Sequence, residues 1–169
     1  VAARVALPFP LFFGTDLFDD VIHRRDQKSA RPTSRIGNEV LLTGIEHGDR
    51  VLVVAENRPE WLISDLAIMA TGGVTVPAYT TNTEADQRYL LEDSGAKGAI
   101  VSTARLARTL LAAMEPGANT PPPFVVMMEK PGADARLEPP AGVQVLAWDE
   151  VVARGERDHS NVLCNADQV

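Results

Sequence analysis

Cysteine is almost absent: Cys164 stands alone in 169 residues, so no internal disulfide can form and the fold must be held by packing, as in a reducing compartment. That usage points to the cytoplasm. Histidine is nearly as scarce, and His23, His47 and His159 share no zinc spacing such as His-x-x-x-His, so metal binding is not indicated. Positive charge is in deficit. With 16 Lys and Arg against 23 Asp and Glu, the formal net charge is -7, which argues against a protein that holds nucleic acid by bulk electrostatics. Long apolar runs are missing as well, none approaching the roughly 20 residues of a membrane span. The apolar opening at residues 5–13 is interrupted by Pro8 and Pro10 and followed by Asp16, Asp19 and Asp20, a poor match to a secretory signal. The chain reads as soluble, and its length suits one domain burying roughly 70% of its unfolded surface.

Present in their place is a repeating alternation of strand and helix signals. Residues 51–55 are wholly apolar, as expected of a parallel strand covered on both faces. Asn57 and Glu60 have the spacing of a helix-capping pair, and Pro59 falls in the first turn, where its missing N–H does no harm. Leu62, Leu66 and Met69 then mark an apolar face, and Gly72-Gly73 closes the helix before a strand at residues 74–78, which Pro77 places near a sheet edge or at its own end. The pattern repeats. Thr81 and Glu84 open a helix that Ser94-Gly95 closes, residues 98–101 form a short strand, and Ser102 or Thr103 caps the next helix, which ends near Pro116-Gly117. An apolar strand at 124–128, a Pro- and Gly-rich loop, a last strand at 143–147 and a short helix near 149–154 complete the series. Such alternation predicts an α/β fold with a mostly parallel, three-layer sheet and right-handed crossovers.

The segment Glu56-Asn57-Arg58-Pro59-Glu60-Trp61, preceded by Gly48-Asp49-Arg50 and followed by Gly72 through Glu84, resembles the AMP-forming acyl-CoA synthetases of the adenylate-forming superfamily. The similarity is greatest to long-chain fatty acid ligases, runs from about residue 44 to 102, and weakens toward residue 169. The resemblance implies that residues 44–169 form part of the amino-terminal α/β region, with loops at 116–123 and 129–142. Residues 1–43 form a lead segment without a clear period. Relatives usually place a Thr-Tyr/Trp-x-Glu signature and a longer helix before the Gly-Asp-Arg turn; here Thr33-Ser34-Arg35 precedes Gly44 too closely, by roughly ten residues, or about three helical turns.

For the parent enzyme the resemblance implies ATP, Mg²⁺ and coenzyme A, a carboxylic acid substrate of fatty character, and the remainder of the parent chain as the partner of this segment. The Ser/Thr/Gly-rich phosphate loop of relatives is not found in these residues. Thr71-Gly72-Gly73 is the nearest imitation, but it ends a helix, whose dipole disfavours phosphate there. The ending Asn165-Ala166-Asp167-Gln168-Val169 resembles the lead-in to the phosphate loop, so the isolated chain is expected to be catalytically inert and to hold no cofactor tightly.

Candidate binding residues come from two places. Tyr79, Thr80, Thr81 and Asn82 form a polar strand-to-helix loop that borders the pantetheine tunnel by resemblance. Arg105 and Arg108, at i, i+3 on one helical face, match the segment with which thioester-forming relatives hold the nucleotide end of coenzyme A, and guanidinium forks suit phosphate. Read without the resemblance, exposed arginines on a helix are most often only a solvated face. Glu56 and Asn57 lie at a strand's carboxyl end, where open α/β sheets place ligands, although helix capping accounts for both. Trp61 reads as an apolar anchor. No catalytic acid–base pair, nucleophile or metal ligand can be nominated; Ser94-Gly95 lacks a hydrolase elbow, and Asp19-Asp20 and Glu92-Asp93 read as solvated surface. The competing reading is a non-enzymatic flavodoxin-like or receiver-like binding module, which shares the alternation but for which the acidic cluster or flavin-phosphate loop is missing. A dinucleotide-binding domain would require Gly-x-Gly-x-x-Gly after a strand.

Overall fold

The computed structural model describes residues 44–114, 121–132 and 135–157. The lead segment 1–43, His159, Cys164 and the carboxy-terminal stretch that resembles a phosphate-loop lead-in lie outside the described residues.

Five strands form one sheet: β1 (Arg50–Val54), β2 (Val74–Ala78), β3 (Gly98–Val101), β4 (Phe124–Met127) and β5 (Gln144–Ala147). Their order is β2-β1-β3-β4-β5, and every neighbouring pair is parallel. The helices between and after them are α1 (Pro59–Ala70), α2 (Glu84–Ser94), α3 (Ala104–Ala113) and α4 (Trp148–Arg157). The fold is the three-layer α/β arrangement expected, and Pro77 does lie on an edge strand.

Burial explains the absence of polar alternation in β1. Val51, Leu52, Val53 and Val54 are completely buried, each worth roughly 1.5–3 kcal/mol when removed from water. Val51 and Val53 join one apolar layer with Ala67 and Ile68 of α1, Ile100, Phe124, Val126 and Val151 of α4. Leu52 and Val54 join the opposite layer with Ala99, Val101, and Leu106 and Leu110 of α3. Helices α1 and α4 therefore cover one face, and α2 and α3 the other.

The start of α1 differs from the Asn57–Glu60 cap expected. Arg58 is the N-cap residue, extended at φ -147 and ψ 159, and no side chain caps the helix. The cause is Pro59, which disfavours helical geometry in the residue before it and so leaves Asn57 a position too early. Its inward face also differs: Ser64, Ala67 and Ile68 are buried, with Trp61 and Ile63 packed against the core, while Met69 is 48% exposed. Periodicity missed this face because a serine occupies it. Ser64 Oγ donates to the Glu60 carbonyl at 2.7 Å, so its hydroxyl is satisfied within the helix.

Thr83, not Thr81, caps α2. Its Oγ1 accepts from the Asp86 N–H at 3.3 Å while its own N–H donates to Asp86 Oδ2 at 2.9 Å, closing a reciprocal capping box. Gly95 ends that helix in the left-handed region at φ 58. Thr103 caps α3, one of the two residues expected. The Gly72 turn after α1 is a structural cap, with φ 80 and the carbonyl of Gly72 accepting from the Gly48 N–H at 2.9 Å.

Candidate functional site at the carboxyl edge of the sheet

The register aligns Ala78, Val54, Val101, Met127 and Ala147 across the five strands. The row just beyond them, Tyr79, Ala55, Ser102, Met128 and Trp148, forms the carboxyl edge. From β1 the chain crosses to α1 on one face, and from β3 to α3 on the other. A crevice opens between such oppositely directed connections, which is where open α/β sheets take ligands.

Residues that sequence reasoning left out of the site meet in this crevice. Ser102 is completely buried, and its Oγ donates to Glu56 Oε2 at 2.5 Å. That bond holds the Glu56 carboxyl below its ordinary range, aided by the positive charges of Arg58 and Arg105. Glu56 is thus tied to the β3 turn instead of capping α1. Arg58 donates from Nε to Glu60 Oε2 at 2.8 Å and from Nη1 to Glu129 Oε1 at 2.7 Å. The Glu60 bond is the main cause that raises the guanidinium pKa further above its usual value, and the same bond lowers that of Glu60. The Arg-Pro-Glu spacing could have suggested the Arg58–Glu60 pair. Glu129 lies 71 residues from Arg58, with no local signal.

The residues nominated from sequence occupy the same edge. Tyr79 is 80% exposed, and the Asn82 N–H donates to its carbonyl at 3.2 Å, so residues 79–82 form a turn between β2 and α2. Arg105 and Arg108 are both exposed on the first turns of α3. The two groups leave strands separated by β1, roughly 10 Å at the usual strand spacing, and both open onto the α2–α3 face. No hydrogen bond between them is present among the described residues. Arg58, by contrast, is already engaged by two carboxylates, which makes it poorly placed to receive phosphate.

On the opposite face, a groove of about 480 Å³ runs between the first turns of α1 and α4, lined by Pro59, Glu60, Ile63, Trp148, Asp149, Val152 and Ala153. Glu60 and Asp149 place negative charge beside both helix N-termini, so the groove does not suit phosphate. Among the described residues no helix is long and apolar enough to cross a membrane.

A parallel, doubly wound sheet with a polar carboxyl edge is a ligand-binding architecture shared by many enzyme classes. The comparison with known families narrows it: residues 31–161 match the AMP-binding enzyme model, and the chain belongs to that family. It is similar to the long-chain-fatty-acid–CoA ligase FadD15 of Mycobacterium tuberculosis, 47% identical over 53 residues, which cover 31% of this chain and 9% of that protein. It also resembles the human mitochondrial acyl-coenzyme A synthetase ACSM5, 42% identical over 59 residues covering 35% of this chain and 10% of that protein. The chain thus matches about a tenth of the length of these relatives. Among solved structures, a benzoate CoA ligase from Burkholderia xenovorans aligns with TM-score 0.60 at 20% identity, over 79% of this chain and 24% of that one. The adenylation domain of a carboxylic acid reductase from Segniliparus rugosus aligns with TM-score 0.62 at 17% identity, over 79% and 23%. These likenesses support the fold. The family match displaces the flavodoxin-like and receiver-like reading.

Proposed function

We propose that this chain is the amino-terminal α/β portion of an AMP-forming acyl-CoA ligase acting on a carboxylic acid of fatty type, with residues 44–169 as its α/β unit. In that reaction a carboxylate oxygen attacks the α-phosphorus of ATP, pyrophosphate leaves, and the coenzyme A thiol displaces AMP from the acyl adenylate. The observation that carries the reading is the family match across 131 positions, residues 31–161; the similarity to FadD15 favours a fatty acid over other acids.

This chain's own residues fit only part of that chemistry. The exposed Arg105 and Arg108 offer two guanidinium forks for the phosphates of coenzyme A, and the 79–82 turn offers N–H groups and hydroxyls to its pantetheine arm. No turn among the described residues supplies a phosphate loop for ATP, so ATP and Mg²⁺ are assigned to other parts of the parent enzyme. The remainder of the parent chain is the partner in this reading, and Leu62 and Leu66, only partly buried on α1 while Ala67 and Ile68 fill the core, are candidate contacts for it. A cytoplasmic location accords with the single cysteine.

The test is acid-dependent exchange of pyrophosphate into ATP. The parent enzyme should catalyse it with fatty acids, and the isolated chain should not. Robust exchange by these 169 residues would overturn the assignment of ATP chemistry to other parts of the enzyme.

A further inference from the structure

The polar groups at the carboxyl edge close into a ring. Ser102 Oγ donates to Glu56 at 2.5 Å. The Ser102 carbonyl accepts from the Glu129 N–H at 3.0 Å. Glu129 Oε1 accepts from Arg58 Nη1 at 2.7 Å, and two residues of backbone return from Arg58 to Glu56. Three strands, β1, β3 and β4, are thereby laced together beyond their last sheet bonds.

Ser102 is the node. Its N–H also donates to the Val54 carbonyl at 3.1 Å, so all three of its polar groups are held while its side chain is completely buried. The next residue is Thr103, the N-cap of α3, whose Oγ1 accepts from the Leu106 N–H at 3.3 Å. Arg105 and Arg108 follow within the first two turns. The position of both guanidinium groups is therefore inherited from a backbone point that the ring fixes. Glu56, Arg58 and Glu129 are not needed to fill the core, since Glu56 and Glu129 are exposed and Arg58 is half-buried.

We propose that Glu56, Ser102, Glu129 and Arg58 act as positioning residues for coenzyme A, their ring setting the α3 N-terminus so that Arg105 and Arg108 face the incoming nucleotide. The inference rests on the ligase reading above and adds residues that do not themselves touch the substrate. Misplacing a binding group by even about 1 Å costs a large factor in rate or affinity.

The experiment uses the full parent enzyme. Ser102→Ala and Glu56→Ala should each raise the KM for coenzyme A by about tenfold or more, about tenfold being the lower end expected for one hydrogen bond to a charged group. Acid-dependent pyrophosphate exchange should stay within about twofold, since adenylation precedes coenzyme binding. The double variant should be no worse than either single within about twofold, because both break the same link. Glu56→Gln, which keeps an acceptor for the Ser102 hydroxyl, should restore the KM. Hydrogen exchange of the Leu106 to Arg108 amides should quicken in both alanine variants relative to α2, a readout independent of turnover. Unchanged coenzyme KM in an active enzyme, or unchanged α3 exchange, overturns the positioning role and leaves the ligase reading standing. A wild-type parent without acid-dependent exchange overturns the ligase reading, and the inference with it.

Discussion

Adding a single methyl group at Gly98 should destabilise the protein, although the same change in an open strand would stabilise it. Glycine in a strand carries an entropic cost, so a tolerated Gly→Ala replacement gains about 0.4–1 kcal/mol. Gly98 has no such room. A Cβ built there would lie 2.1 Å from Phe124 Cζ and 2.7 Å from each Cε carbon, against about 3.5–4.0 Å for an unstrained carbon contact. Phe124 is 2% exposed and belongs to the same apolar layer as Val51, Val53 and Ile68, so the ring must shift within the core to admit the methyl. Overpacking costs about 1–3 kcal/mol, and an overlap near 1.5 Å on a buried ring places this case at about 3 kcal/mol by that range. For a domain of this size that is a fall in Tm of roughly 6–12 °C. Thermal unfolding by far-ultraviolet circular dichroism, with urea titration for the free energy, would measure it for Gly98→Ala. Phe124→Leu in the same background should recover part of the loss, since the two sites are in contact and should not be additive. A Gly98→Ala protein as stable as wild type, or equal costs with and without Phe124→Leu, would refute the packing argument.

Thr83→Ala removes one half of the α2 capping box and should cost about 1 kcal/mol, read as a shift in urea midpoint at constant slope. Acid should weaken the carboxyl edge: Glu56 and Glu60 have pKa values lowered from 4.5, so their stabilisation is present above that value and lost as pH falls through the lower folded values. The Glu56→Gln/Glu60→Gln variant should accordingly lose less stability than wild type on going below about pH 4.5; an identical acid limb would contradict it. In the parent enzyme, Arg105→Ala and Arg108→Ala should each raise the KM for coenzyme A by about tenfold or less, as expected for one phosphate contact, with pyrophosphate exchange nearly intact. Unchanged thioester kinetics in both would remove these arginines from the site.

Much of the architecture was legible because each signal was local. The unbroken apolar run of β1 reported burial on both faces, Pro77 reported an edge, and Gly95 reported a helix end. What periodicity missed was decided by tertiary context or by competition between neighbours. Pro59 moved the helix boundary by restricting Arg58, which displaced the Asn57 cap. Ser64 was buried by bonding within its own helix, so the inward face of α1 did not read as apolar. At the carboxyl edge, residue types were legible and long-range pairings were not. The polar loop after β2 and the i, i+3 arginines were visible as residue types, whereas the ring through Ser102 and Glu129 joins positions 46 and 71 residues from their partners. Such pairings follow only from strand order.

As proposed above, the parent of this chain is a ligase that cleaves ATP to AMP while joining a carboxylic acid to coenzyme A. Its most direct test is product analysis of the full parent enzyme supplied with ATP, Mg²⁺, coenzyme A and straight-chain fatty acids. Acyl-CoA, AMP and pyrophosphate should form in equal amounts. ADP and phosphate accompanying the thioester, or no thioester from any carboxylic acid supplied, would contradict it.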